Sequence, residues 1–147
     1  MKTHLLVALA VGLLIAADEG KNVATKERKR LEGTWTITSV VRNDNPLPED
    51  RLKDAQFVFQ GERFAQKQGD KTLAKGTFRL DPGKRPPTID LTMSEGEERD
   101  KTILSIYQLE DDVLRICGAG PGHERPTEFA AKDGSGHTLI TCKRAKP

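Results

Sequence analysis

The chain has 147 residues and a formal net charge of +2, from 24 Lys and Arg against 22 Asp and Glu. A balance that close to neutral gives no electrostatic footprint for nucleic acid, and the length is that of one domain. Beyond the first twenty residues no apolar stretch is long enough to cross a membrane.

The opening segment MKTHLLVALAVGLLIAADEG has the layout of a secretory signal peptide. Lys2 supplies the positive end, and Leu5 to Ile15 is apolar but too short to span a bilayer. Ala16 and Ala17 offer a small-residue cleavage site. A cut after Ala17 leaves 147 − 17 = 130 residues and, without Lys2, a charge of +2 − 1 = +1. No Cys at the junction invites a lipid anchor. The mature protein is therefore expected to be exported, to the periplasm or the medium, with no membrane span of its own. Residues 18–30 read as a leader. Asp18 to Thr25 is expected to be flexible, and Lys26 to Leu31 to form one or two helical turns before Gly33. The basic cluster Lys26 to Arg30 has no interleaved aromatics and reads as solvated surface.

Residues 31–147 are the expected folded domain, and from Trp35 onward the hydrophobic period is two. Strands are expected at 34–42, 56–60, 63–68, 72–80, 88–93, 102–109, 113–118 and 137–143, with a short one at Thr127 to Ala131. Pro48 to Lys53 reads as a short helical turn. Gly76 suggests a bulge or bend in its strand. If Asp111-Asp112 is a two-residue hairpin loop, Leu109 faces Leu114 and Tyr107 faces Ile116, all on one side. The inward set is then bulky: Trp35, Ile37, Val41, Phe57, Phe59, Phe64, Phe78, Leu80, Ile89, Leu91, Tyr107, Leu109, Leu114 and Ile116. Eight short antiparallel strands with this pattern predict a small up-and-down barrel whose interior side chains can just fill.

A Gly-x-Trp at the start of the first strand, here Gly33-Thr34-Trp35 after a helical turn, resembles the first motif of the lipocalin and calycin barrels. In those barrels the Trp closes one end, and a basic residue from the last strand packs across its ring. Arg144 stands in that place here, since barrel closure sets the start of the first strand beside the end of the last. A guanidinium over an indole contributes roughly 0.5 to 2 kcal/mol. The longer segments LEGTWTITSV, PLPEDRLKDAQFVFQGERF, KGTFRLDP, LSIYQLEDDVLRIC and ERPTEFAAKDGSGHTL resemble a family of exported lipocalin-like domains of unknown function, best known from planctomycete bacteria. The resemblance covers about residues 31–144. It implies the barrel and export, and supplies no activity, cofactor or binding residue.

Chemistry-bearing constellations are sparse. His123 and His137 lack metal-ligand spacing. Ser135 sits in a GSG turn, Glu110-Asp111-Asp112 lacks the spaced oxygens of a calcium loop, and the 118–122 Gly-rich run has no Lys or following helix. No metal, no cofactor and no catalytic set is expected. Two side chains are candidates for ligand contact: Tyr107 on the inward face, and Arg125, either as an anion-binding group at the barrel mouth or as an anchor for its own loop. Cys117 and Cys142 are expected to be free. Were their strands antiparallel neighbours, the two would sit about five residues apart along the ladder; were Thr127 to Ala131 a strand between them, they would lie two strand spacings, about 10 Å, apart, and either is beyond disulfide reach. The functional expectation is a non-catalytic binding domain for a small apolar or amphipathic molecule. A filled barrel serving as a protein-interaction or envelope module is the alternative.

Overall fold

The computed structural model describes residues 19–146, and the signal peptide expected over residues 1–17 lies outside them. Helix α1 covers residues 19–31. The strands are β1 (Gly33–Arg42), β2 (Asn45–Pro46), β3 (Ala55–Gln60), β4 (Arg63–Gln68), β5 (Lys71–Asp81), β6 (Thr88–Met93), β7 (Thr102–Glu110), β8 (Val113–Ala119) and β9 (His137–Arg144). β2 is a two-residue hairpin partner of the end of β1. The other eight follow one another antiparallel, and β9 returns to pair with β1. The all-β fold is therefore a closed up-and-down barrel. Closure leaves no free sheet edge along these strands.

The β7–β8 hairpin has the register that its apolar residues require. Leu109 pairs with Leu114 and Tyr107 with Ile116, and Asp111 takes the positive φ of 51° that the tight turn needs. The inward side chains pack in layers. Phe57 and Phe59 stack with centroids 5.8 Å apart, and Phe78 meets Phe59 edge-on at 5.2 Å. Such pairs add about 0.5–1.5 kcal/mol each beyond their burial.

Four local features depart from the sequence reading. The helix is longer than a turn or two, because Ala24, Glu27, Arg28 and Leu31 recur at helical spacing on a half-buried to buried face. In β1 a bulge between Ile37 and Ser39 shifts the register against β9. The alternation flips there, so Val40, not Val41, joins the buried core. In β5 the irregularity lies opposite Gln66 and Lys67, near Leu73, rather than at Gly76. Gly76 instead allows β6 to approach, since a Cβ there would stand 1.9 Å from the Thr92 carbonyl oxygen.

The fourth departure is the segment expected as a short strand at Thr127 to Ala131, which is irregular. The outer face of β7 and β8 carries Ile106 and Cys117, both buried, and residues 120–136 are strapped across that side. Pro126 and Ala131 are buried with it. Arg115 stacks over Phe129 at 4.9 Å, and the Ala131 carbonyl accepts a 2.8 Å bond from the Asp44 amide. The segment covers apolar surface with side chains, so its backbone joins no ladder. This places β8 directly beside β9, with Leu114 opposite Cys142 and Cys117 opposite Leu139. The two cysteines are thus three ladder positions apart rather than five, and on opposite faces: Cys142 in the core, Cys117 under the strap. Both thiols are free.

Candidate functional site

The two ends of the barrel differ. At the end where β1 begins and β9 finishes, α1 lies across the opening. Trp35 is fully buried, and its Nε1 donates to the Leu31 carbonyl at 2.8 Å. The Arg144 guanidinium lies over the Trp35 ring, 4.3 Å from its centroid. Its terminal nitrogens donate to the carbonyls of Glu32 at 3.0 Å and Arg30 at 2.6 Å. Arg144 thus satisfies carbonyls at the C-terminal end of α1, where a cation is also favoured by the helix dipole. Gly33 makes the approach possible. Its φ is 123°, and a Cβ there would stand 3.3 Å from an Arg144 nitrogen. Tyr107 belongs to this same end. It is 1% exposed, its hydroxyl donates to Glu27 of α1 at 3.3 Å, and burial with the Glu27 charge pushes its pKa well above the usual phenol range. As a ligand contact Tyr107 is misplaced, because its one polar atom is taken by the helix.

The opposite end is hollow. A cavity of about 400 Å³ opens there, at the small end of the range for ligand sites. Its wall is mostly apolar, with Gln66, Gln68 and Thr138 among the lining: Ile37, Phe57, Phe64, Leu91, Ile103 and Ile116 come from six different strands. Leu47 and Leu52 flank it from the β2–β3 connection, which carries the 3-10 turn Glu49–Leu52. Arg42 and Arg51 are the charged residues of the lining. The β1 bulge is what brings Arg42 there, by turning it to the same side as Val40.

One polar atom in the wall is anomalous. Ser105 is fully buried, lines the cavity, and among the described residues its Oγ has no hydrogen-bond partner. Burying a hydroxyl without a partner costs about 1–3 kcal/mol. Its ladder partner is Gly118, where a Cβ would come within 2.9 Å of that Oγ. The small residue opposite keeps the wall recessed around the hydroxyl.

Arg125 is not at the mouth. It lies on the outer wall, where one terminal nitrogen bonds Asp90 Oδ1 at 2.6 Å and the Ser105 carbonyl at 2.7 Å. Both partners tie the strap to β6 and β7 through that one nitrogen. His123 rests against Gly120 and Gly136 in the same strap. Among the described residues, no three His, Cys, Asp or Glu side chains gather into a metal-binding group. No helix there is long and apolar enough to cross a membrane.

A larger outer groove of about 840 Å³ runs beside α1, with Lys21, Arg28, Glu62, Arg79 and Asp90 along it. Long charged side chains of both signs form its sides, and Arg28 with Glu62 and Asp90 with Arg125 already pair. Its sides hold no buried unpartnered polar atom among the described residues. The interior cavity holds one, and it is the candidate site.

Alternation could have flagged Ser105, the one polar residue in the inward row Ile103, Ser105, Tyr107, Leu109. Nothing in the sequence alone marks the bulge that redirects Arg42. Fold and site together define a small closed β-barrel, sealed at one end by a helix and hollow at the other. Compared with known protein families, with curated proteins and with solved structures, the chain has no match.

Proposed function

We propose that this is an exported, non-catalytic binding domain, lipocalin-like in its use of the barrel interior, and that its partner is a small apolar or amphipathic molecule. The observation that carries the reading is the cavity with a buried Ser105 hydroxyl, unpartnered among the described residues, in a mostly apolar wall. An empty apolar space costs packing energy, and an orphan hydroxyl costs more. A ligand that fills the first and bonds the second offsets both. The filled-barrel alternative suits only the sealed half, where Trp35, Phe59, Ile89, Tyr107 and Leu114 are fully buried. Export rests on residues 1–17, and N-terminal sequencing of the exported protein tests it, with Asp18 as the expected first residue.

Binding is tested with N-phenyl-1-naphthylamine, a neutral fluorophore that brightens in apolar sites. The expected result is saturable binding that is lost in Met93→Trp, which places an indole in the cavity. A probe that does not bind the wild type, or binds both proteins alike, contradicts the reading.

A further inference from the structure

The cavity's charges are all of one sign. Arg42 and Arg51 line it, and among the described residues no Asp or Glu does. Glu49 and Asp50 share the turn with Arg51, yet neither lines the cavity. Among the described residues, neither arginine has a carboxylate within salt-bridge distance. Arg42 is oriented, though: its Nε donates to Thr138 Oγ1 at 3.2 Å. A guanidinium fixed through Nε presents its two terminal nitrogens as a fork, the geometry that matches a carboxylate or phosphate edge.

The backbone register locates Ser105 relative to this fork. Arg42 pairs with Thr138, Thr138 with Gly118, and Gly118 with Ser105. All four stand on one row of the ladder, three strand spacings from end to end, or about 14 Å around the wall. Apolar side chains fill the wall around that row.

We infer that the occupant is an anionic amphiphile: an acidic head held by Arg42 and Arg51 at the mouth, and a medium-length apolar body whose oxygen at the far end meets Ser105 Oγ. This deepens the binding reading and rests on it. A neutral ligand makes no use of the two cations at the rim of the apolar hole. A plain hydrocarbon tail leaves the Ser105 hydroxyl unpaired.

Three competitors of similar length separate the parts: decan-1-ol, decanoate and ω-hydroxydecanoate, each displacing N-phenyl-1-naphthylamine. Decanoate is expected to bind at least about tenfold more tightly than decan-1-ol, the gain of one charge-assisted contact. Added salt should shrink the advantage. Arg42→Gln with Arg51→Gln should abolish it, bringing decanoate to the affinity of decan-1-ol; both side chains are exposed, and thermal melts check that the barrel stays folded. Ser105→Ala should penalise ω-hydroxydecanoate relative to decanoate by about tenfold and leave decanoate itself as tight or tighter. Equal affinity for decan-1-ol and decanoate, or an advantage that survives the double replacement, overturns the anionic head while binding stands. An unchanged hydroxy-acid ratio in Ser105→Ala overturns the contact at the far end. If the probe itself fails to bind, the proposed function falls, and this inference with it.

Discussion

Replacing Arg144 by alanine removes several contacts at once, and their sizes differ. The cation over Trp35 at 4.3 Å is shielded on one face by the core and contributes about 1–2 kcal/mol. The bonds to the Glu32 and Arg30 carbonyls involve a charged donor, but those carbonyls lie at an exposed helix end and regain water when the arginine goes. Together they contribute about 1 kcal/mol net. The pair with Asp112 is 3.5 Å long and its carboxylate is mostly exposed, so it contributes little. The sum is about 2–3 kcal/mol, which for a domain of this size lowers Tm by roughly 6–15 °C. Arg144→Lys keeps the charge but loses the fork and the flat stacking surface, and should recover less than half of the loss. Asp112→Ala is the control and should fall within about 0.5 kcal/mol of wild type. Thermal melts followed by the emission of the single Trp read stability and the ring's surroundings together. A variant Arg144→Ala that melts within a degree or two of wild type, with unshifted emission, refutes the latch.

Three further outcomes are expected. Trp35→Ala should cost about 3–5 kcal/mol, as truncation of a fully buried indole does, and a milder loss would show that α1 rather than Trp35 seals that end. Burial pushes the Cys142 thiol up to about 12 from an ordinary value near 9. Below about pH 9 both folded and unfolded states keep the proton. Above it the unfolded chain alone releases it, so stability should fall with rising pH, by up to about 1.4 kcal/mol per unit from this group. Urea unfolding between about pH 9 and 10, before tyrosine titrates in the unfolded chain, should show a shallower slope in Cys142→Ala; identical slopes would contradict this. Arg125→Ala should release the strap and expose Cys117 to alkylating reagents while Cys142 stays protected. Equal protection of Cys117 in both proteins would mean that Pro126 and Ala131 hold the strap without the arginine.

Much of the barrel is legible in the sequence because inward apolar side chains alternate without interruption over most strands, and because Asp111-Asp112 sets one register unambiguously. The same rule misreads Val41, since a bulge adds one residue to β1 and no residue type there announces it. Residues 19–25 escape a helical reading because no large apolar residue there turns inward: only Ala24 and Thr25 are half-buried, and Val23 is exposed. Thr127 to Ala131 looks like a strand only because Phe129 and Ala131 alternate; their burial comes from lying on the outside of β7 and β8, a tertiary relation that local pattern does not encode. The candidate site is the least legible part. Tyr107 and Arg125 attract attention by residue type, but helix and strap consume them. Arg42, Arg51 and Ser105 become a site only when barrel closure brings their walls together.

The central claim is that the hollow half of the barrel, and not its surface, receives a ligand. Methyl NMR during a titration with decanoate tests it directly, because the isoleucines sample every region. Ile37, Ile103, Ile116 and Ile140 line the cavity, whereas Ile106 lies under the outer strap. The account predicts saturable shifts at the first four and none at Ile106. Shifts that never saturate, or that appear at Ile106 with the cavity methyls unmoved, would contradict it.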